Sequence, residues 1–255
     1  GEDDSQISDI SGLLQSSRDV YVNNVGFNLS FARFRLRGYD TDLTSVFIQG
    51  IPMNDPETGR AIWAYWGGLN DITRYPEVVT GVASSHLTFG GIGGYSSTSL
   101  RASQKRQGTR VSYAASNRTY TSRLMLTHST GWLKNGWAFS FSLSGRYSTE
   151  GYAEGTHYSG MSYFAAAEKR LSDKHTINLA VLGAPTVQAR NGIAVQEVYD
   201  LTGNNYYNPY WGYQNGEKRN ARVRNNHIPY IVLSDELKIN SKSKLTNSVY
   251  YTFGR

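Results

Sequence analysis

A period-two alternation of apolar and polar residues begins after Gly108 and returns in seven segments of the chain. Its clearest instance places Trp137, Phe139, Phe141 and Leu143 on one face of a strand, with small polar residues, mostly serine, on the other. The seven segments are residues 109–116, 120–130, 137–148, 161–170, 174–182, 228–240 and 245–253. This alternation predicts antiparallel strands with one apolar and one polar face.

The connections between these segments are sorted by length. The second, fourth and sixth connections are short and comprise residues 131–136, 171–173 and 240–244. The two longest, residues 149–159 and 183–227, are the third and the fifth. Short turns at one end of a sheet and long loops at the other are typical of outer-membrane barrels. A soluble β-sandwich with one solvated face produces the same alternation, and the pattern alone leaves that alternative open.

The composition excludes several other classes. The chain has no cysteine, which removes disulfides and thiolate chemistry. No run approaches the roughly 18–20 apolar residues of a spanning helix. The net charge of +6 comes from scattered cations, so a nucleic-acid partner is not expected. The five histidines never fall at metal-ligand spacing. We expect that the protein binds neither a metal nor another cofactor and that it is not an enzyme.

The first part of the chain has a different pattern. Residues 1–103 mix short apolar runs at 32–37, 45–50 and 78–82 with a glycine cluster at 89–94. These elements predict a small α+β domain, and the change of period near Gly108 places its end at about residue 103. Residues 104–255 then form the strand-rich second domain. The predicted chain is therefore mainly β.

Five blocks in this first part carry a family resemblance. In chain order they are LLQSSRDVYV (13–22), FRLRGY (34–39), VFIQGIPM (46–53), EVVTG (77–81) and FGGIGG (89–94). The blocks resemble, in the same order, the plug domain of TonB-dependent outer-membrane receptors. One position departs from the pattern, because Gln49 replaces the usual aspartate. The segments 151–156 and 197–201 look most like receptors of the Bacteroidota.

The resemblance implies a fold and an activity. The fold is an α+β plug domain followed by antiparallel strands of a truncated transmembrane β-barrel, and the plug gates a barrel of about 22 strands. The implied activity is energy-dependent uptake of a nutrient, such as a glycan or a siderophore, across the cell outer membrane. The implied partners are TonB, through a box upstream of this chain, the substrate, outer-membrane lipid and a surface lipoprotein.

Two sets of residues are candidate sites. Arg33, Arg35 and Arg37 alternate on one strand face, where they are expected to pair with acidic residues of the barrel wall. The 183–227 loop combines amides with aromatic rings that can stack on a ligand. The candidate substrate-binding residues in this loop are Tyr206, Tyr207, Tyr210, Trp211 and Tyr213. The same aromatics can instead pack the loop onto its own barrel, and a soluble carbohydrate-binding or adhesin-like module is the alternative function.

Overall fold

Among the described residues, two larger β-sheets follow one another along the chain, and a two-stranded sheet lies within a loop of the second. The computed structural model describes residues 39–82, 85–89, 91–117 and 119–254. The first sheet contains the strands β1 (Ser45–Ile48), β2 (Ile51–Pro52), β3 (Glu77–Val79) and β4 (Tyr95–Thr98), in the order β2-β1-β4-β3. Strands β1 and β4 run parallel, and the other neighbours are antiparallel. The sheet is accompanied by helix α1 (Asn70–Thr73) and by 3-10 turns at Thr41–Leu43, Trp63–Trp66 and Ala102–Gln104.

The tight turn after β1 contains the residue that departs from the family pattern. Gln49 and Gly50 both have positive φ, at 52° and 77°. The Gln49 side chain reaches across the sheet, where its Oε1 accepts a hydrogen bond from the Leu100 backbone N–H at 2.8 Å. Gln49 therefore ties the β1–β2 turn to the segment that follows β4.

The second sheet, called the wall sheet below, is antiparallel along its main path. The remaining strands in chain order are β5 (Gly108–Ala115), β6 (Ser122–Ser129), β7 (Trp137–Ser148), β8 (Tyr158–Ser172), β9 (His175–Gly183), β10 (Thr186–Ala189), β11 (Trp211–Gln214), β12 (Glu217–Asn220), β13 (Val223–Asn226), β14 (Tyr230–Lys238) and β15 (Lys244–Thr252). The seven segments of the alternation correspond to β5, β6, β7, β8, β9, β14 and β15, which lie side by side with β5 and β15 at the edges. The expectation of a mainly β chain with antiparallel strands is confirmed. The predicted strand 32–37 lies outside the described residues.

The long connection 183–227 contains regular structure that the alternation does not predict. Strand β10 pairs with β8 and with β13, and thereby extends the wall sheet beyond β9 and β14. Helix α2 (Gln196–Thr202) follows β10, and β11 and β12 form a hairpin whose turn contains Asn215 and Gly216 at positive φ. These strands have four residues each, which is too short for a period of two to stand out in the sequence.

The wall sheet buries its polar face and exposes its apolar face. On β7, Phe139 and Phe141 are 41% and 40% exposed, whereas Ser140 and Ser142 are 2% and 0% exposed. Two pairs of buried hydroxyls are hydrogen-bonded across strands, Thr127 with Ser142 at 2.8 Å and Ser129 with Ser140 at 2.7 Å. A sheet in water does the opposite, because apolar burial is what stabilises it.

A shared hydrophobic core joins the two sheets on the inner face of the wall sheet. Trp66 and Leu69 belong to the segment between β2 and β3, and Phe164, Leu182 and Val232 belong to the wall sheet; all are buried in one cluster. The first sheet therefore packs against the face that carries the serines. Among the described residues, no helix is long and apolar enough to cross a membrane.

Candidate functional site

The first candidate site is the contact between the two sheets, and Arg101 is at its centre. This residue follows β4 and reaches two strands of the wall sheet. Its Nε and Nη2 donate to Glu168 Oε1 on β8 at 2.8 Å and 2.5 Å, and its Nη1 donates to Glu236 Oε2 on β14 at 2.8 Å. Glu168 is fully buried. A buried carboxylate needs such charge-assisted partners, because an unpaired charge in that environment is very unfavourable.

The backbone after Arg101 strengthens this contact. The Ser103 N–H donates to Glu168 Oε2 at 2.8 Å, and the Ala102 N–H donates to Asn178 Oδ1 at 3.3 Å. Lys105 ends the segment, with its Nζ donating to the carbonyls of Ser99 at 2.6 Å and Ile72 at 2.9 Å. Burial lowers the pKa of the Lys105 ammonium to about 8. These polar contacts thus add to the shared hydrophobic core that joins the two sheets.

A second contact lies at Gly67 and Gly68. Ser162 Oγ donates to the Gly67 carbonyl at 2.6 Å, and Arg146 Nη2 donates to the same oxygen at 3.3 Å. Gly68 has a φ of +83°, and a Cβ built there would lie 2.9 Å from Arg146 Cζ. Only glycine therefore allows the backbone to approach Arg146 this closely.

The arginines predicted to make the contact were a different set. Arg33, Arg35 and Arg37 lie outside the described residues, so their role stays a prediction. Sequence reasoning missed Arg101 and its partner Glu168. A signal for Glu168 was present, since it is a carboxylate on the same face of the segment 161–170 as the apolar residues Phe164 and Ala166.

The second candidate site is at the long-loop end of the wall sheet, where two loops are joined through Lys218. Its Nζ lies 2.8 Å from Glu150 Oε1 and 2.8 Å from Glu154 Oε1, and 4.6 Å from the centre of the Trp211 ring. The ammonium therefore connects the β11–β12 hairpin to the loop between β7 and β8. The hydrogen bonds from Lys218 and from the Gly155 N–H lower the pKa of Glu150, and those two glutamates raise the pKa of Lys218.

Two asparagines complete the junction between the loops. The fully buried Asn208 donates from Nδ2 to the carbonyls of Glu154 at 2.9 Å and Arg190 at 3.2 Å. Asn220 donates from Nδ2 to the carbonyls of Gly155 at 3.0 Å and Arg190 at 2.8 Å. These amides satisfy loop carbonyls that have no strand partner, so the long-loop end is an ordered surface.

The five predicted aromatic residues divide between packing and exposure. Tyr210 lies under Arg222, with the guanidinium carbon 4.9 Å from the ring centre, and Trp211 lies beside Lys218. Tyr206 packs edge-on against Tyr152 at 6.2 Å. Tyr206 and Tyr213 are exposed, and Tyr207 is half-buried. Their role in substrate binding stays a prediction, and the exposed pair offers the most accessible rings.

Among the described residues, no three His, Cys, Asp or Glu side chains come together in a group that could hold a metal ion. Glu150 and Glu154 are both paired with the Lys218 ammonium.

Comparison with known proteins shows the fold. No family model and no curated protein sequence matches the chain. The siderophore receptor PiuA from Acinetobacter baumannii matches with a TM-score of 0.62 at 17% identity, covering 86% of this chain and 30% of that receptor. The ferric citrate transporter FecA matches with a TM-score of 0.61 at 16% identity, covering 88% of this chain and 33% of that protein.

The closed form of the ferric-catecholate import receptor Fiu from E. coli K12 matches with a TM-score of 0.60 at 14% identity, covering 88% and 30% of the two chains. The present chain thus spans about a third of the length of the solved proteins that it matches. The matched structures are TonB-dependent receptors, and the chain has their fold. They are transport receptors rather than enzymes.

Proposed function

We propose that the chain is the plug domain and the first barrel strands of a TonB-dependent outer-membrane receptor of the Bacteroidota type. In this proposal residues 1–103 are the plug, and residues 104–255 begin a barrel in the outer membrane. TonB acts through a box upstream of the chain and moves the plug to admit a nutrient. The fold, the five sequence blocks and the length of the matched receptors support this assignment.

The observation that carries the proposal is the polarity of the wall sheet. Its outer face presents Phe139, Phe141 and Leu143 to the surroundings, and its inner face buries serines against the first sheet. A lipid-facing barrel wall requires this arrangement, because its outer face contacts hydrocarbon and its lumen is polar. The alternative of a soluble carbohydrate-binding module requires the reverse arrangement, and the exposed band of apolar side chains argues against it.

The substrate proposal rests on the long-loop end. Its exposed tyrosines and its loop amides suit a polar nutrient with flat or apolar parts, which includes both glycans and siderophores. The matched structures bear the names of a siderophore receptor, a ferric citrate transporter and a ferric-catecholate receptor, which favours an iron complex over a glycan. A surface lipoprotein over these loops remains part of the proposal.

The absence of cysteine permits a direct test of the membrane assignment. We propose to introduce Phe141→Cys and Tyr213→Cys separately and to treat intact cells with a membrane-impermeant maleimide. Tyr213→Cys should be labelled from outside, because that side chain is exposed on the loops. Phe141→Cys should be labelled only after denaturation, since a thiol in hydrocarbon is neither ionised nor reached by the reagent. Equal labelling of both cysteines in a soluble fraction would refute the proposal.

The loop aromatics are tested separately. Replacing Tyr210, Trp211 and Tyr213 with alanine should weaken substrate binding to cells and leave barrel assembly unchanged. A Tyr213→Ala variant is the sharper version, because Tyr210 and Trp211 also pack against cations within the loops. Binding and uptake at the parent level, with normal assembly, would show that the loop has only a structural role.

A further inference from the structure

A basic cleft opens at the end of the wall sheet that carries the short turns, opposite to the long loops. Its volume is about 390 Å³, and it lies on the inner face, beside Arg101 and Glu236. Three further side chains that line it are cations: Arg170 on β8, Lys174 in the turn between β8 and β9, and Lys238 at the end of β14. All three are exposed, so a partner can reach them.

The charge of these three cations is not compensated within the described part of the chain. None of them has a carboxylate within ion-pair distance there. Of the two carboxylates that line the cleft, Glu236 is already paired with Arg101 at 2.8 Å and with Lys244 at 3.3 Å. Asp173 alone is left to face three cations, so the cleft attracts negative charge.

The other groups of the cleft suit a carboxylate. The guanidinium carbon of Arg170 lies 4.4 Å from the centre of the Trp132 ring, which holds the side chain in place. A guanidinium that is already positioned loses less conformational entropy when it binds a partner, and its planar fork matches a carboxylate. The hydroxyls of Ser172 and Thr176 line the same cleft and can donate further hydrogen bonds.

The same chain carries an acidic segment ahead of the first sheet. No lysine or arginine precedes Arg18. Residues 10–38, which connect the acidic segment to the first sheet, span about 100 Å when fully extended. The longest strand of the wall sheet, β8, has 15 residues and is about 50 Å long, so the connection can reach the cleft even when part of it is folded. Residues 2–9 contain four of the 20 acidic residues of the chain, Glu2, Asp3, Asp4 and Asp9.

We propose that the acidic segment 2–9 docks in this cleft, where its carboxylates pair with Arg170, Lys174 and Lys238. A single ion pair between exposed groups is weak. Here both partners belong to one chain, so the tether raises their effective concentration and several pairs form together. The docked segment fastens the part of the chain that precedes the first sheet to the wall sheet. This inference goes beyond the proposed function and does not depend on the transported substrate.

The absence of cysteine allows this docking to be measured by disulfide formation in the full-length protein. Ser5→Cys places a thiol in the acidic segment and keeps its four carboxylates, and Ser172→Cys places a second thiol in the cleft. On mild oxidation, this cleft pair should form an intramolecular disulfide at least about 10-fold faster than a control pair of Ser5→Cys and Tyr213→Cys. The Tyr213 position is exposed at the long-loop end, and mass spectrometry identifies the linked peptides.

Charge variants of the cleft pair show whether ion pairing drives the docking. Lys174→Gln combined with Lys238→Gln should slow disulfide formation about 10-fold, and about 0.5 M sodium chloride should slow it in the unmodified background, because both weaken attraction between exposed charges. Lys134→Gln is the matched control and should leave the rate unchanged. Lys134 is an exposed lysine of the short β6–β7 turn that does not line the cleft.

The acidic segment supplies a second set of variants. Asp3→Asn combined with Asp4→Asn should also slow the reaction of the cleft pair about 10-fold. These substitutions leave the cleft intact, so a folding defect of the lysine variants does not obscure the result.

The proposal is overturned if the cleft pair and the control pair react at equal rates, or if the charge variants leave the rate unchanged. Phosphate that slows the reaction far more than chloride at the same ionic strength would also overturn it, because the cleft would then be a site for free anions. The maleimide experiment reads other positions and can succeed whatever the result here. Failure of the docking is therefore distinguishable from failure of the receptor assignment.

Discussion

The fully buried carboxylate of Glu168 accepts hydrogen bonds from two nitrogens of Arg101, at 2.8 Å and 2.5 Å. This pair joins the segment after the first sheet to the wall sheet, and Glu236 holds the third nitrogen of the same guanidinium. The two residues are in direct contact although they lie far apart in the sequence. It is the place where movement of one sheet relative to the other must break charge-assisted bonds.

The first expected outcome concerns this pair. Glu168→Gln removes the charge that compensates Arg101 and should lower the free energy of unfolding by about 3–5 kcal/mol, as for other broken buried pairs. Urea titration of the purified protein measures this loss. Glu150→Gln is the matched control, because Glu150 is a partly exposed carboxylate and its loss should cost much less. Similar losses for both variants would contradict the importance of burial.

The second prediction concerns the contact between the two loops at Lys218. Because the pKa of Glu150 is lowered, its contribution to stability is present above the ordinary glutamate value and is lost as the pH falls through the lowered one. The raised pKa of Lys218 keeps its own contribution present below its ordinary value. We therefore expect the β11–β12 hairpin to stay docked at neutral pH and to loosen in acid below about pH 4.

Hydrogen exchange of the amides in residues 211–220 measures this docking. Lys218→Met should lower the protection of these amides at neutral pH, relative to their intrinsic exchange rates, to the level that the parent reaches only in acid. Protection in the parent that stays the same between neutral and acid pH would show that Asn208 and Asn220 hold the hairpin without the lysine.

The third prediction separates two contributions to the cost of a substitution at Gly68, backbone strain and steric contact. Gly68→Ala places a Cβ at a φ of +83° and within 2.9 Å of Arg146 Cζ. Gly81→Ala meets a similar φ of +76° with no atom within 4 Å. The Gly81 variant should lose about 1–2 kcal/mol from the left-handed conformation alone. Gly68→Ala should lose more free energy of unfolding, measured by chemical denaturation, because Ser162 Oγ, 2.5 Å from that Cβ, and Arg146 must also move. Equal losses would show that the close approach has no energetic role.

The fourth uses the buried Lys105, whose pKa is lowered to about 8. Between about pH 8 and the ordinary lysine value near 10.4, the unfolded chain binds a proton that the folded chain has released. Stability should therefore rise with pH across this window. Lys105→Met should remove that rise, as measured by the unfolding temperature at several pH values from 7 to 10. If a Lys169→Met control also lost the rise of stability with pH, the rise would be due to the overall charge and not to Lys105.

The sequence by itself determined the strands of the wall sheet and the polarity of their faces. A strand's pleat sends alternate side chains to opposite faces, so a local pattern such as Phe139, Ser140, Phe141 and Ser142 is sufficient to read both. The lengths of the connections also indicated which end of the sheet carries the long loops. A short turn is a local feature of the sequence, so its position can be read without the tertiary structure. The short strands β10 and β13 were not predicted, because four residues are too few to establish a period.

Only the tertiary structure decided which charged residues meet. Arg101 and Glu168 are 67 residues apart, and Lys218 and Glu150 are 68 apart, so no spacing in the sequence relates them. The opposition of Arg123 and Arg146 depends on the register of β6 against β7, and a shift of one residue would place them on opposite faces. Register and loop packing arise from contacts distributed over the whole sheet, which is why a local pattern could identify the faces but not the sites on them.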